Sequence, residues 1–360
     1  MTVHIALLIY TSLIGAVIYK KRPYSKKMKK RFLLSSFFAI WLIQALRGES
    51  VGLDTDQYTL AFLRAQYGHY PKSWEFLFSL LMKILSKSFE RPQILFVISS
   101  FLILSGIFIF VYYNVDDWKS AFWPIFLFIV LTQYFSTMNL IRQSLAMAVG
   151  CNVYTVLKRN QSKNRFIISA AIIALAALFH SSGLVCALLI LPFVIAINRK
   201  TIVVGTFVTM GVLNLFPYVL RGFLMILPRY SRYIGGRLDT AGSSGVYNLI
   251  GLIEFLIIVF CLLYLDPEKE ENKEVYRLLF VILFSLALIL MQRRISLAMR
   301  LGYYFELFLI LLIPEFIQRW NVRLRLPLKM GVYLLGWAYF IYQMTVSNAR
   351  GCVPYVFFWQ

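Results

Sequence analysis

Runs of apolar residues, each about as long as a membrane-crossing helix, recur along this chain from Val3 to Met344. A helix needs roughly 17 to 25 mostly apolar residues to cross the hydrocarbon core of a bilayer. Apolar residues make up 60% of the 360 residues and charged residues only 15%. Because no polar stretch is long enough for a soluble domain, the sequence predicts one integral, all-α polytopic membrane domain over residues 1–360.

The apolar pattern predicts about twelve transmembrane helices, at residues 2–19, 32–46, 92–113, 119–135, 138–157, 165–179, 182–197, 201–220, 246–265, 276–292, 297–317 and 328–346. The first of these lacks a basic stretch before it and a cleavage site, so we interpret it as a helix and not a signal peptide. The four cysteines have no paired spacing that would indicate disulfides or a zinc site. A further segment from Ser73 to Ser88 is amphipathic, which predicts an outer helix lying on the membrane or re-entering it.

The distribution of Lys and Arg gives an orientation. With twelve crossings, the loops on one side, including the cluster KKRPYSKKMKKR, carry 22 of the 37 Lys and Arg. The positive-inside rule then places both termini outside and predicts that outer loops 47–91 and 221–245 cover an outward-facing site. The net charge of +21 is divided among short loops, and this division argues against a nucleic-acid-binding domain.

Three polar motifs abut apolar segments at that outer face: VGLDTDQY at 51–58, MNLIRQSLA at 138–146 and LFHSSGL at 178–184. Ionisable side chains at a membrane boundary are costly and usually functional. The candidates are Asp54, Arg142 with its neighbour Gln143, and His180. For each a plainer interpretation stays open, namely an acidic turn, an arginine that reaches the headgroups, and an interfacial histidine.

Arginines elsewhere on the outer face predict a phosphate-binding surface, because the guanidinium fork engages phosphate oxygens in pairs. Headgroup contacts and an ordinary belt of interfacial tyrosines are the alternative. The candidates in the late segment and in the outer loop are Arg293, Arg294, Arg300, Tyr303, Tyr304, Arg232 and Arg237.

Over residues 40 to 310 the ordered set of motifs resembles the EpsG-like branch of the Wzy-type polysaccharide polymerases. The second motif is similar at Arg142, Gln143 and Ala146, and Glu75 looks like the acidic residue that opens the family's amphipathic segment. The third motif has Gly183 where alanine is commoner. The remaining positions that carry the resemblance are Val51, Gly52, Asp54, Thr55, Tyr58, Phe179, His180, Ser182, Leu184, Arg300, Tyr303, Tyr304 and Phe305.

The resemblance implies a lipid-dependent glycosyltransferase fold of the GT-C-like kind in a bacterial plasma membrane, with its active site on the periplasmic or extracellular side. It implies transfer of a glycan from undecaprenyl diphosphate to the terminal sugar hydroxyl of a second lipid-linked repeat unit, without a metal or other cofactor. A flippase and a chain-length regulator are the partners expected with such an enzyme. An O-antigen ligase and a non-enzymatic transporter of lipid-linked glycans are the competing functions.

For that chemistry we expect Asp54 to be the base that takes the proton of the acceptor hydroxyl. His180 is either an alternative base or a phosphate ligand. Arg142 is expected to neutralise the diphosphate first, followed by Arg300 and Arg293 or Arg294. Tyr58 and Gln143 are expected to bind substrate.

Overall fold

The fold is described from a computed structural model that covers residues 1–19, 26–71, 73–116, 118–209, 211, 245–292, 296–348 and 350–360. These residues are almost entirely helical, and among them the one β-type pairing is an isolated antiparallel bridge between Arg47 and Phe357. The all-helical prediction is therefore confirmed for the described part of the chain. The chain divides into two compact units, which are described separately.

The first unit comprises Met1–Ala187 and Arg323–Gln360. Its helices are α1 (Thr2–Tyr19), α2 (Lys26–Ala45), α3 (Thr55–Gln66), α4 (Phe76–Ser88), α5 (Gln93–Asn114), α6 (Trp118–Val130), α7 (Gln133–Asn139), α8 (Ile141–Gly150), α9 (Asn152–Arg159), α10 (Asn164–Phe179) and α17 (Val322–Tyr342). A 3₁₀ helix (Ser181–Ile190) begins in this unit, and a π-helical turn (Gln343–Ser347) follows α17.

The second unit comprises Leu188–Val322. Its helices are α11 (Leu191–Val194), α12 (199–209), α13 (Gly245–Tyr264), α14 (Glu270–Met291), α15 (Ser296–Glu306) and α16 (Leu309–Gln318).

Two of the described helices, α5 and α14, are long and apolar enough to cross a membrane, and the total rises to four if each of two bent pairs is one span. The bent pairs are α6 with α7, at 57°, and α15 with α16, at 43°. Four shorter apolar helices account for further predicted segments. A helical membrane protein is consistent with these lengths, while twelve crossings and a GT-C-like architecture stay predictions.

The segment predicted as one helix over 119–135 is broken. Thr132 has φ of 63°, in the left-handed region, which ends α6 and turns the chain into α7. A branched side chain rarely adopts that conformation, so the apolar pattern alone gives no sign of the break. The turn brings Asn139 and Arg142 to the same end of the unit as the segment around Asp54.

The predicted outer loop 47–91 contains two helices. The amphipathic segment predicted over 73–88 is α4, and α3 precedes it from Thr55 to Gln66. α3 packs through Tyr58, which contacts Trp74 and Phe78 at ring-centroid distances of 6.1 and 5.9 Å. These contacts join the loop that carries Asp54 to the start of α4.

Small residues let α5 and α8 approach closely. A Cβ atom at Gly106 would collide with the carbonyl of Ala148, and its distance to that carbonyl carbon would be 2.8 Å. The Asn152 side-chain amide donates to the carbonyls of both Gly106 and Ala148, at 3.2 and 2.9 Å. Close approach through small residues and interhelical hydrogen bonds is how membrane helices associate without a hydrophobic driving force between them.

We expect Gly106→Ala to lower the free energy of unfolding by about 1 to 3 kcal/mol, because backbone has to move to admit the methyl group. The matched control is Gly331→Ala in α17, where a Cβ would meet nothing within 4 Å. Melting temperatures of the purified variants in detergent test this. Equal melting temperatures for Gly106→Ala and Gly331→Ala would contradict the close α5–α8 contact.

Candidate functional site

Segments that are distant in sequence meet at one place in the first unit. The key residue of each segment lies at the end of a helix. Asp54 is the residue before α3, and Glu75 is the residue before α4. Arg142 lies in the first turn of α8, and His180 follows the last residue of α10. Arg142 and His180, two of the three residues predicted to carry the chemistry, thus lie beside a fourth, Glu75, and the third, Asp54, acts electrostatically on Tyr58.

The Glu75 carboxylate joins these segments. Its Oε2 accepts a hydrogen bond from Arg142 Nη1 at 3.0 Å, forming an ion pair. Its Oε1 accepts from the Ser181 N–H at 2.9 Å and lies 3.7 Å from Nδ1 of His180. One side chain therefore holds the start of α8 and the end of α10 against the start of α4.

The helix dipoles explain why a carboxylate belongs here. Glu75 precedes α4, and Ser181 begins the 3₁₀ helix, so two helix N-termini present partial positive charge to it. Arg142 is the opposite case, because a cation in the first turn of α8 is disfavoured by that helix's own dipole. The adjacent carboxylate offsets this cost, so the position of Arg142 depends on Glu75.

The pKa of Glu75 is lowered from its ordinary value. Partial burial alone would raise the pKa, but the hydrogen bond from the Ser181 N–H, with the charges of His180 and Arg142, outweighs burial. The group is consequently a carboxylate at neutral pH, engaged through both oxygens. It is better suited to orienting Arg142 than to accepting a proton.

Arg142 is held on several sides and keeps donor capacity. Its guanidinium lies over the Trp74 ring, 5.2 Å from the centroid, and beside the Tyr58 hydroxyl. Its Nε has no hydrogen-bond acceptor among the described residues, and the side chain is 24% exposed. A rigid guanidinium with remaining N–H groups is suited to binding an oxyanion.

The local hydrogen bonds of His180 define its neutral tautomer. The Ser182 N–H donates to Nδ1 at 3.1 Å, and the Ser182 hydroxyl lies 3.0 Å from the same nitrogen. A nitrogen that accepts from a backbone N–H carries its lone pair, so the proton of neutral His180 is assigned to Nε2. In this arrangement His180 presents an N–H donor.

Asp54 is connected to the cluster through Tyr58. Tyr58 is buried, and its pKa is raised by that burial, with the charge of Arg142 opposing and the charge of Asp54 reinforcing the shift. Asp54 makes no side-chain capping bond to α3 and is half-buried. Asp56, by contrast, is exposed and accepts from the Gln57 N–H at 2.8 Å. Of the two acidic residues in the motif, Asp54 is therefore the one that acts electrostatically on Tyr58.

The other predicted site residues do not all fall in this cluster. Gln143 is buried within α8. In the second unit Arg300 is exposed on α15, while Tyr303 and Tyr304 are buried in the packing of that unit. Arg232, Arg237, Arg293 and Arg294 lie outside the described residues.

The sequence singles out Glu75 only through the family resemblance, as the acidic residue that opens the amphipathic segment, and not as a candidate site residue. The available signal was an acidic residue directly before an amphipathic helix, where a carboxylate complements the helix N-terminus. Its partners lie 67 and 106 residues away in sequence, so the pattern could not indicate the ion pair.

Among the described residues no group of three or more His, Cys, Asp and Glu is placed to hold a metal ion. The absence of a metal or cofactor from the reaction stays a prediction.

The helices and this ion-paired cluster define a helical membrane protein with a polar site built at helix termini. The sequence model described as the EpsG family matches residues 30–357, which is most of the chain. The chain belongs to the EpsG family, and membership indicates a role as a glycosyltransferase-type polysaccharide polymerase. Comparison with curated proteins and with solved structures finds no significant match.

We expect Glu75→Gln to lower the melting temperature at neutral pH, because the amide cannot pair with Arg142. A carboxyl whose folded-state pKa is lowered stabilises the fold above its ordinary pKa of 4.5 and loses that contribution as pH falls through the folded value. The difference between wild type and Glu75→Gln should therefore shrink below pH 4.5.

Thermal unfolding in detergent between about pH 7 and pH 3.5 measures this. Glu90→Gln, at an exposed position before α5, is the control and should melt as wild type does. A Glu75→Gln deficit that stays constant across the range would contradict the ion pair.

Proposed function

We propose that this protein polymerises oligosaccharide repeat units carried on undecaprenyl diphosphate, at the outer face of a bacterial plasma membrane. The growing glycan is transferred to the terminal sugar hydroxyl of a new lipid-linked unit, and undecaprenyl diphosphate leaves. The observation that carries the proposal is the cluster in which Glu75 joins Arg142 and His180, with Arg142 hydrogen-bonded to Tyr58 and Asp54 acting electrostatically on Tyr58. Membership of the EpsG family supports the class of reaction.

Arg142 binds the diphosphate in this proposal. As the bond between the anomeric carbon and the diphosphate oxygen breaks, negative charge grows on the leaving group. A guanidinium already fixed by Glu75 and Trp74 stabilises that charge without having to reorganise. The Nε2–H of His180 supplies a second donor to the same oxygens.

Asp54 is the proposed base. The acceptor hydroxyl gives its proton to the Asp54 carboxylate while its oxygen forms the new bond to the anomeric carbon. Glu75 is a poor candidate because its carboxylate is engaged by Arg142 and Ser181 and its pKa is lowered. His180 is also less suited, since Nδ1 accepts from Ser182. Asp54 is half-buried, and no capping bond ties its carboxylate to the start of α3.

The distribution of basic residues along the chain supports the proposed location of the site on the outer side of the membrane. The basic cluster at 20–31 includes the first residues of α2, and the candidate site lies beyond the opposite end of that helix. The positive-inside rule places the basic end in the cytoplasm and the site outside. No metal or cofactor takes part in the proposed reaction. The arginines of the second unit and of residues 221–245 are proposed to bind lipid diphosphate.

Asp54→Asn should reduce the rate of polymerisation by about 10² to 10⁴-fold, because general-base catalysis contributes about that much. The measurement is ladder formation by purified protein supplied with one lipid-linked repeat unit. Asp56→Asn is the matched control, since it removes an exposed carboxylate from the same motif, and it should retain activity. A wild-type rate for Asp54→Asn would remove Asp54 as the base.

The same assay distinguishes the competing functions. A polymerase makes a ladder from the repeat unit alone, whereas an O-antigen ligase needs a lipid A core acceptor. A transporter moves the lipid-linked unit without forming a glycosidic bond.

Arg142→Lys should lose most polymerisation although it keeps the positive charge, because an ammonium cannot reproduce the fork that binds both Glu75 and an oxyanion. Arg142→Ala should lose at least as much. Arg64→Lys, on an exposed position of α3, is the control and should remain active. Membrane abundance and product length measure the result, and unchanged product length in Arg142→Ala would exclude Arg142 from the site.

A further inference from the structure

The C-terminal segment 350–360 is bound along the loop that carries Asp54. The Gly48 N–H donates to the Val356 carbonyl at 2.8 Å, and the Phe358 N–H donates to the Leu46 carbonyl at 3.0 Å. Further along, the Gly52 N–H donates to the Gly351 carbonyl at 2.8 Å. The backbone from Leu46 to Gly52 is therefore held at several points by the far end of the chain.

Asn139 completes this attachment on the other side of the loop. Its Nδ2 donates to the Arg350 carbonyl at 2.9 Å, and its Oδ1 accepts from the Leu53 N–H. The side chain is buried and ends α7, three residues before Arg142. A single amide thus links the C-terminal segment, the residue before Asp54 and the helix start that presents Arg142.

The backbone of the loop is fixed in a conformation that few residues adopt. Gly52 has φ of 100°, and a Cβ there would lie 2.7 Å from Thr55 Oγ1 and 2.8 Å from Asn139 Oδ1. Gly351 has φ of 60°, and a Cβ there would lie 2.9 Å from Leu53 Cδ2. Both glycines lie where the C-terminal segment and the loop approach, so a small displacement of either would move Leu53 and Asp54.

We propose that Asn139 and the C-terminal segment act as a positioning device for Asp54, holding its carboxylate in place. The proposal rests on the proposed role of Asp54 as the base, but its structural part does not depend on activity. A displacement of about 1 Å in a reacting group can cost about 10²-fold in rate. A small movement of the Asp54 loop would therefore lower the rate of reaction directly.

Two variants disturb the device from opposite sides. Asn139→Asp keeps the acceptor for the Leu53 N–H but replaces the donor to Arg350 with a carboxylate oxygen facing a carbonyl. Gly351→Ala pushes a methyl group against Leu53. Gly68→Ala is the matched control, because Gly68 also has a positive φ, 82°, but a Cβ there would meet nothing within 4 Å.

The structural readout is thiol labelling of Asp54→Cys by a charged maleimide. All four native cysteines are buried, so the introduced thiol should label selectively. We expect Asn139→Asp and Gly351→Ala each to change the labelling rate at position 54 severalfold, while Gly68→Ala leaves it unchanged. Glu90→Cys, an exposed position away from the loop, should label equally in every background.

The functional readout is made with Asp54 intact. Asn139→Asp and Gly351→Ala should lower kcat for polymerisation by about 10 to 10²-fold with little change in KM for the lipid-linked unit, because the base moves while Arg142 still binds diphosphate. A variant that is merely destabilised would have a lower melting temperature and a lower abundance in the membrane. Gly68→Ala reports the cost of backbone strain alone.

The outcomes separate the two proposals. Unchanged labelling at position 54 in both variants overturns the positioning device whatever the polymerisation result. Altered labelling with unchanged kcat overturns its link to the reaction. If Asp54→Asn polymerises normally, the role of Asp54 fails, and the labelling still decides whether Asn139 and the C-terminal segment hold the loop.

Discussion

The contact on which the candidate site depends is the ion pair between Glu75 and Arg142. A guanidinium in the first turn of α8 faces the positive end of that helix's dipole, and because the side chain is only 24% exposed it also loses part of its hydration. The Glu75 carboxylate compensates both costs with one oxygen and binds the start of the 3₁₀ helix with the other. Removing it would leave a partly buried cation without its counter-ion and would release the end of α10. The site is therefore one electrostatic unit and not a set of separate polar residues.

This electrostatic cluster suits the proposed reaction, in which negative charge develops on the departing diphosphate. Arg142 is oriented by Glu75, by the Trp74 ring and by Tyr58 before any substrate arrives. Preorganisation of this kind matters because reorienting a donor during the reaction costs free energy, which reduces the net stabilisation that the donor gives to the transition state. In the proposed reaction Glu75 is therefore the carboxylate that orients the arginine, and not the base. Glu75 stabilises the ionised arginine through the ion pair, while Asp54 acts electrostatically on Tyr58.

The sequence predicts the helices well where the signal is local. The apolar runs at 2–19, 92–113 and 165–179 correspond closely to α1, α5 and α10, since length and apolar content within each run are sufficient. The break at Thr132 is invisible because one left-handed residue leaves the apolar pattern unchanged. Polar motifs beside apolar segments predict Asp54, Arg142 and His180 as site residues. They do not predict Glu75, because its importance comes from partners 67 and 106 residues away. The apolar pattern does not predict α3, because that helix is short and amphipathic and so lacks the signal of a membrane helix.

The attachment of the C-terminal segment illustrates a further limit. The carbonyls of Arg350, Gly351 and Val356 make the contacts that hold the Asp54 loop, and every residue has a carbonyl. Side-chain identity along this segment is therefore only weakly constrained by its proposed task, apart from Gly351, where the backbone has a positive φ and Leu53 is close. The residues whose identity matters more are the ones that donate to these carbonyls, namely Asn139 through its side-chain amide and Gly52 through its N–H. A search for functional residues that ranks side chains by chemistry alone would pass over the segment, although it contacts the loop of the proposed base directly.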